Sequence, residues 1–136
     1  MTGEHRIVTA PELAEPVGYA HAVVAAPGRT VYLGGHIAQD ADGAVRGETI
    51  AEQFDLAAAN LVAALEAAGG RPDDLVSLLV LVTDVDDYRA SLRELGVVWR
   101  RRFGRRYPAL ALAGVAALFE ADAKVELVGV AVIPDA

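Results

Sequence analysis

The sequence contains no cysteine. Disulfides, thiolate nucleophiles and Cys-based metal sites are therefore excluded. Long apolar runs are also missing: none approaches the roughly 18 to 20 residues that span a bilayer, so no membrane partner is expected. Positive charge is scarce. Twelve Lys and Arg stand against 19 Asp and Glu, a net charge of −7, whereas general nucleic-acid binding needs a basic footprint. The start, MTGEHRIVTAPELAEP, has no apolar stretch behind a basic end. No signal peptide is expected, and cytoplasmic residence follows by default. There is no internal repeat, low-complexity tract or linker.

What is present fits a single domain over 1–136, long enough to bury a real core. Hydrophobic residues make up 54% of the chain, many of them Ala and Val. Such an excess without a membrane span points to additional buried surface, as in an oligomer.

Local patterns place the elements. AVVAAPGRTVYLGGHIA reads as a hairpin turning at Pro27-Gly28, and DADG (40–43) as a second turn. Thr49 and Glu52 make a capping-box pattern, after which Ile50, Phe54, Leu61 and Leu65 fall on one helical stripe. Gly69-Gly70 with Pro72 ends that helix. DLVSLLVLVTDV is nearly all apolar from Leu78 to Val82, as in a strand covered on both faces. A second helix starts in the acidic turn Asp84–Asp87, with Tyr88, Leu92, Leu95, Trp99 and Phe103 as its apolar stripe and Gly104 as its stop. Strands are expected over roughly Ala109–Val115 and Lys124–Ile133, with a loop at Glu120–Ala123. The order is β-β-α-β-α-β-β. Two helices cover only one face of the sheet, yet the strands do not alternate polar and apolar. The second face therefore also wants burial, which a partner subunit supplies at about 25 cal/mol per Å² of apolar area.

This order, carrying GYAHAV, VYLGGHIAQDADGAVRG, AAANLVAALEAAGG, LVLVTDVDDY, YPA and KVELVGVAV, resembles the YjgF/RidA family over about residues 16–133, with 1–15 as an N-terminal extension. Members are also called reactive intermediate deaminase, UK114 or L-PSP endoribonuclease. The resemblance implies a chorismate-mutase-like α+β subunit, with one mixed sheet and two helices on one face. It further implies a homotrimer whose sheets form a central barrel, with clefts between neighbouring subunits. The activity it implies is cofactor-independent hydrolysis of reactive enamines and imines, such as 2-aminoacrylate, to a ketone and ammonia.

That chemistry needs a carboxylate anchor, a group that moves protons and a positioned water. In the family the anchor is an arginine directly after a Pro-Ala pair. Here Pro108-Ala109 is followed by Leu110, and Leu makes none of the paired hydrogen bonds of a guanidinium. The family's frequent Asn early in the second helix matches Leu92, and the glycine-flanked Gln of the second strand matches His36 after Gly34-Gly35. Tyr19 and Glu126 match the family's tyrosine and its acidic residue on the last strand. The candidates are thus Glu126 and His36 for proton transfer, and Tyr19, Gly35, Leu92 and Leu110 as pocket walls.

Each has a structural reading too. Glu126, between Val125 and Leu127, is either exposed at a sheet edge or held for a purpose; burial raises a carboxyl pKa, which suits an acid/base. Glycines inside a strand, as at Gly34-Gly35, mark a bulge or the close approach of another group, and His36 is a proton carrier or a hydrogen-bonded core residue. Tyr19 lines a pocket or packs its ring with its hydroxyl in water. His21 reads as structural, and His5 as part of a mobile terminus. The spacings match no metal motif, and neither a metal nor a cofactor is expected. Acids at Asp84, Asp86 and Asp87 and bases from Arg100 to Arg106 suit the two ends of a helix dipole. The other reading has Arg106, four residues before Leu110, supplying a displaced guanidinium. Three functions follow: an enzyme acting on an enamine, imine or related small molecule without an α-carboxylate; a non-catalytic binder of the same fold; and, weakest, a ribonuclease.

Overall fold

A computed structural model describes residues 4–136. Its main sheet has four strands: β3 (Gly28–Tyr32), β4 (Leu75–Val82), β5 (Ala109–Gly114) and β6 (Val125–Pro134). Their spatial order is β3-β6-β4-β5, with β4 and β5 parallel and the other pairs antiparallel. Helices α1 (Ile50–Ala67), α2 (Val85–Ala90) and α3 (Leu92–Phe103) supply the helical layer. The α+β class, the mixed sheet and the two main helices are as expected. No helix among the described residues is long and apolar enough to cross a membrane.

The start of α1 is set by its cap. The Glu52 N–H donates to Thr49 Oγ1 at 3.1 Å, and the Glu52 side chain accepts from the Glu48 N–H and the Thr49 hydroxyl. Its stripe of Ile50, Phe54, Leu61 and Leu65 is fully buried against the inner face of the sheet, where Leu78, Val80, Val82, Val125 and Leu127 meet it. The helix ends where Gly69 takes φ +94°, a conformation that costs other residues a steric clash. Helix α3 adds Leu95, Val98, Trp99 and Phe103 to the same core. A bidentate clamp ties α3 to α1: Arg102 Nε and Arg101 Nη2 meet Asp55 at 2.7 and 3.0 Å. One residue of α3 works against it. Gly96 lies in the helix interior, where glycine is about 0.5–1 kcal/mol less favourable than alanine.

Three expectations are corrected. The hairpin at Pro27-Gly28 does not exist: β2 (Ala22–Val24) pairs with β1 (Arg6–Val8) in a separate two-stranded sheet, while β3 pairs with β6. Gly28 is needed for close approach, since a Cβ there would overlap the Ile133 carbonyl. Second, His5 is buried rather than part of a mobile terminus, and the residues that follow it form β1. Its ring nitrogens bond the Val132 carbonyl at 2.8 Å and the Ala26 N–H at 3.0 Å, fastening β1 to the main sheet. Third, the second helix is broken at Ser91, whose N–H bonds the Tyr88 carbonyl in a tightened last turn of α2. Within the single chain the helices cover only the inner face of β4. On its outer side Leu79 is 37% exposed, and the neighbouring β3 leaves Tyr32 81% exposed.

Candidate functional site

The outer sheet face is largely apolar, with Thr30, Ser77 and one carboxylate as its polar residues. Glu126 lies on β6 opposite Leu81 of β4, and its other outward neighbours on β6 are Val128 and Val130. The chain that leaves β3 passes over it. Leu33 donates its N–H to the Gly129 carbonyl, and His36 exchanges two backbone hydrogen bonds of 2.9 Å with Leu127. Between these points three steps of chain face two steps of β6, so Gly34-Gly35 forms a bulge. The bulge brings Gly35 onto the Glu126 side chain, so close that a Cβ would lie 2.7 Å from Oε2. Beyond it, Asn60 of α1 donates to the carbonyls of Ile37 and Gln39 at 2.9 and 2.8 Å and holds the segment that carries His36. Burial lowers the His36 pKa below its usual 6.5, and the Glu126 charge partly offsets this. His36 is therefore a neutral imidazole at pH 7, within the electrostatic reach of a carboxylate.

Tyr19 lies elsewhere. Ala20 forms a parallel bridge to Ala109 at the free edge of β5, which places Tyr19 and His21 beside Leu110 around a cavity of about 600 Å³. The Tyr19 and His21 rings meet edge to face with centroids 5.9 Å apart. His21 accepts from the Ala10 N–H (3.0 Å) and bonds the Ala14 carbonyl (2.8 Å), so both its nitrogens are engaged in holding the segment with Leu13 and Ala14 against that cavity.

Leu110 also borders a second cavity of about 280 Å³ on the helix side of β5, and Leu92 borders the same one. The two leucines that stand where the resemblance sets an arginine and an asparagine are thus neighbours in space. Arginines of the 100–106 run do not line it. Arg101 and Arg102 are held by Asp55, and Arg106 turns toward Glu4 at 3.9 Å beside His5 and Trp99. The displaced-guanidinium reading of Arg106 is therefore not what this geometry provides.

Within one chain the candidates form two groups. Leu110 pairs with Leu78, which pairs with Gly129, whereas Glu126 pairs with Leu81; Leu110 and Glu126 are two strands and three residues apart and point to opposite faces. At ~4.8 Å per strand and ~3.3 Å per residue that is roughly 14 Å along the sheet. The sequence reading missed Asn60 and the aromatic wall of the smaller cavity. Gly96 in the middle of an amphipathic helix was the available signal for the latter. No cluster of three or more potential metal ligands occurs among the described residues.

A mixed four-stranded sheet with its helices on one face defines an α+β subunit. Residues 9–133 match the profile of the family described as Endoribonuclease L-PSP. A protein of Dermatophagoides farinae named 2-iminobutanoate/2-iminopropanoate deaminase is 31% identical over 131 residues, covering 94% of this chain and 96% of that one. Among solved structures, the Rid-family protein YyfB of Yersinia pestis, of unknown function, superposes with a TM-score of 0.86 at 27% identity, covering 96% of this chain and all of that one. RidA from an Antarctic Psychrobacter superposes with a TM-score of 0.68 at 32% identity, covering 93% and 98%. The chain belongs to the Endoribonuclease L-PSP family, also called YjgF/RidA.

Proposed function

We propose that the protein is a RidA-like small-molecule enzyme that hydrolyses an enamine or imine, or runs a closely related proton-transfer step, on a substrate without the usual α-carboxylate. The observation that carries this reading is the Gly35–Glu126 contact: a carboxylate on a largely apolar sheet face, given room by a glycine bulge, with His36 within reach of its charge. In the reaction Glu126 takes a proton from water as the water oxygen bonds to the C=N carbon. The π electron pair moves to nitrogen, which takes that proton back from Glu126, with the neutral His36 ring as a relay between the two. Glu126, ionised again, then takes the hydroxyl proton of the carbinolamine and passes it to nitrogen as the C–N bond breaks, releasing the ketone and ammonia. No cofactor enters this sequence.

Two features support a composite site. Glu126 and the Tyr19–Leu110 cleft lie on different parts of one chain, and the outer sheet face exposes Tyr32 and Leu79. Packing of that face against further copies, as in a homotrimer with inward-facing sheets, buries it and adds residues from a neighbour to each cleft. The deaminase of Dermatophagoides farinae indicates the reaction class, and Leu110 argues for a different substrate. A non-catalytic binder is the second reading, favoured by the apolar wall that Leu92 and Leu110 share.

The test compares wild type with Glu126→Gln on a panel of imines with and without carboxylates, including 2-aminoacrylate generated in situ. We expect little acceleration with 2-aminoacrylate, and Glu126-dependent turnover of a carboxylate-free imine. Equal rates for both proteins on every imine would remove Glu126 from the chemistry and leave the binder.

A further inference from the structure

The cavity between α3 and the start of β5 is kept open by a glycine. A Cβ on Gly96 would meet no atom within 4 Å, and its φ is not in the left-handed region. Neither a clash nor the backbone therefore calls for glycine at this helix-interior position, where it is a poor helix former. What glycine does there is leave the wall of the cavity bare.

The other walls are equally specific. Tyr88, Leu92, Leu95, Trp99, Tyr107 and Leu110 line the space, and no charged side chain does. The Trp99 indole N–H is already spent on the Arg106 carbonyl at 3.1 Å, and Tyr107 stacks on the ring at 4.8 Å and 15°. Only the phenols of Tyr88 and Tyr107 bring polar side-chain atoms that are not so engaged. Burial, reinforced by Tyr107, raises the Tyr88 pKa above its ordinary 10.0, so this hydroxyl stays neutral through the physiological range. A cavity of roughly 150 Å³ lined by aliphatic and aromatic side chains is enough to hold benzene. The present one, at about 280 Å³, holds a single ring with a short substituent.

We propose that this cavity is a slot for a flat, uncharged, apolar group, of the size of a substituted six-membered ring, which is the non-reacting part of the substrate. The assignment rests on the reading of the protein as an imine-processing enzyme without a carboxylate clamp. It adds the chemical class that replaces the carboxylate as the recognition element. Leu92 and Leu110 are then specificity-determining residues, and the hydroxyls of Tyr88 and Tyr107 orient one polar substituent on the ring.

Trp99 is the single tryptophan of the chain, so ligand entry reads out directly in its fluorescence. The probe is nitrobenzene, a contact quencher of the right shape, with 2-oxobutanoate as the charged control. Wild type is expected to show saturable quenching by nitrobenzene and none by 2-oxobutanoate. Gly96→Leu, whose Cβ would meet no atom within 4 Å, projects its side chain into the slot and is expected to weaken nitrobenzene binding at least tenfold, with unchanged circular dichroism and sedimentation. Leu92→Asn, at a position 59% exposed and so tolerant of substitution, is expected to weaken it severalfold. Linear, unsaturable quenching, or saturation unaltered by Gly96→Leu, overturns the proposal. So does dissociation of an oligomer by Gly96→Leu, which would mean that a neighbouring copy fills the space. The titration involves no turnover, so failure of the slot and failure of Glu126 catalysis are seen separately.

Discussion

Gly35 and Glu126 fit together only because residue 35 has no side chain: a Cβ would lie 2.7 Å from Oε2 and 2.9 Å from Cδ of the glutamate. The atoms it meets are the far end of a flexible side chain, so Gly35→Ala is expected to move the carboxylate rather than disrupt the strand. The cost in stability should stay within about 1 kcal/mol, the scale of a tolerated surface change. Glu126-dependent turnover should fall by at least tenfold. Urea unfolding and rates on the same preparation check both halves, and full activity in Gly35→Ala would show that the position of the carboxylate is irrelevant.

His36 carries a pH signature. Burial lowers its pKa below 6.5, against the raising effect of Glu126. The unfolded chain therefore takes up this proton first, and the His36 contribution to stability is present above pH 6.5 and is lost as pH falls toward the folded-state value. Glu126→Gln removes the raising charge, so the His36 pKa should drop further. An NMR titration of the ring protons follows it, and an upward shift in the variant would contradict the coupling.

Asp55 joins α1 to α3 and is the clearest stabilising carboxylate. Burial raises its pKa, but hydrogen bonds and charge from Arg102 and Arg101 outweigh that and hold it below the ordinary 3.8. Its contribution is thus complete above pH 3.8 and fades as pH falls through the folded-state value. Asp55→Asn should cost about 1–3 kcal/mol, more than the 0.2–1 kcal/mol of an exposed pair, because two guanidinium groups lose their partner. Chemical denaturation at pH 7 measures this, and the difference should shrink at pH 3.

His5 fastens the first strand. Removing its ring leaves the Ala26 N–H and the Val132 carbonyl without their partner. His5→Ala should therefore cost roughly 2–3 kcal/mol, the loss of a buried donor–acceptor pair. Amide exchange should show the loss first over Arg6–Val8 and Ala22–Val24, and uniform protection across these strands would argue against the role assigned to the ring.

Several features were legible in the chain because they are encoded within one or two turns. Thr49 and Glu52 announced α1, Gly69 and Gly104 stopped helices where expected, and the apolar stripe of Leu92, Leu95, Trp99 and Phe103 gave the second main helix. Ser91 was not legible as a break, because a helical stripe does not reveal where one turn tightens. The hairpin at Pro27-Gly28 was misread for a related reason. A Pro-Gly pair between apolar runs signals a reversal, but the partner of each strand depends on which edges are free once the sheet assembles, and β1 and β6 were the ones available.

The amino-acid sequence alone determined the family, the order of the main elements, the absence of thiol chemistry and an uncharged leucine at 110, since all of these are carried by residue identity and short-range periodicity. Only the tertiary structure decided that Gly35 seats Glu126, that His5 is a buried fastening, that Arg101, Arg102 and Arg106 turn to Asp55 and Glu4, and that Leu92 and Leu110 face one cavity. These pairs are far apart in the chain. Their proximity follows from strand register and helix packing, which depend on how all the buried surfaces fit together and not on any single segment.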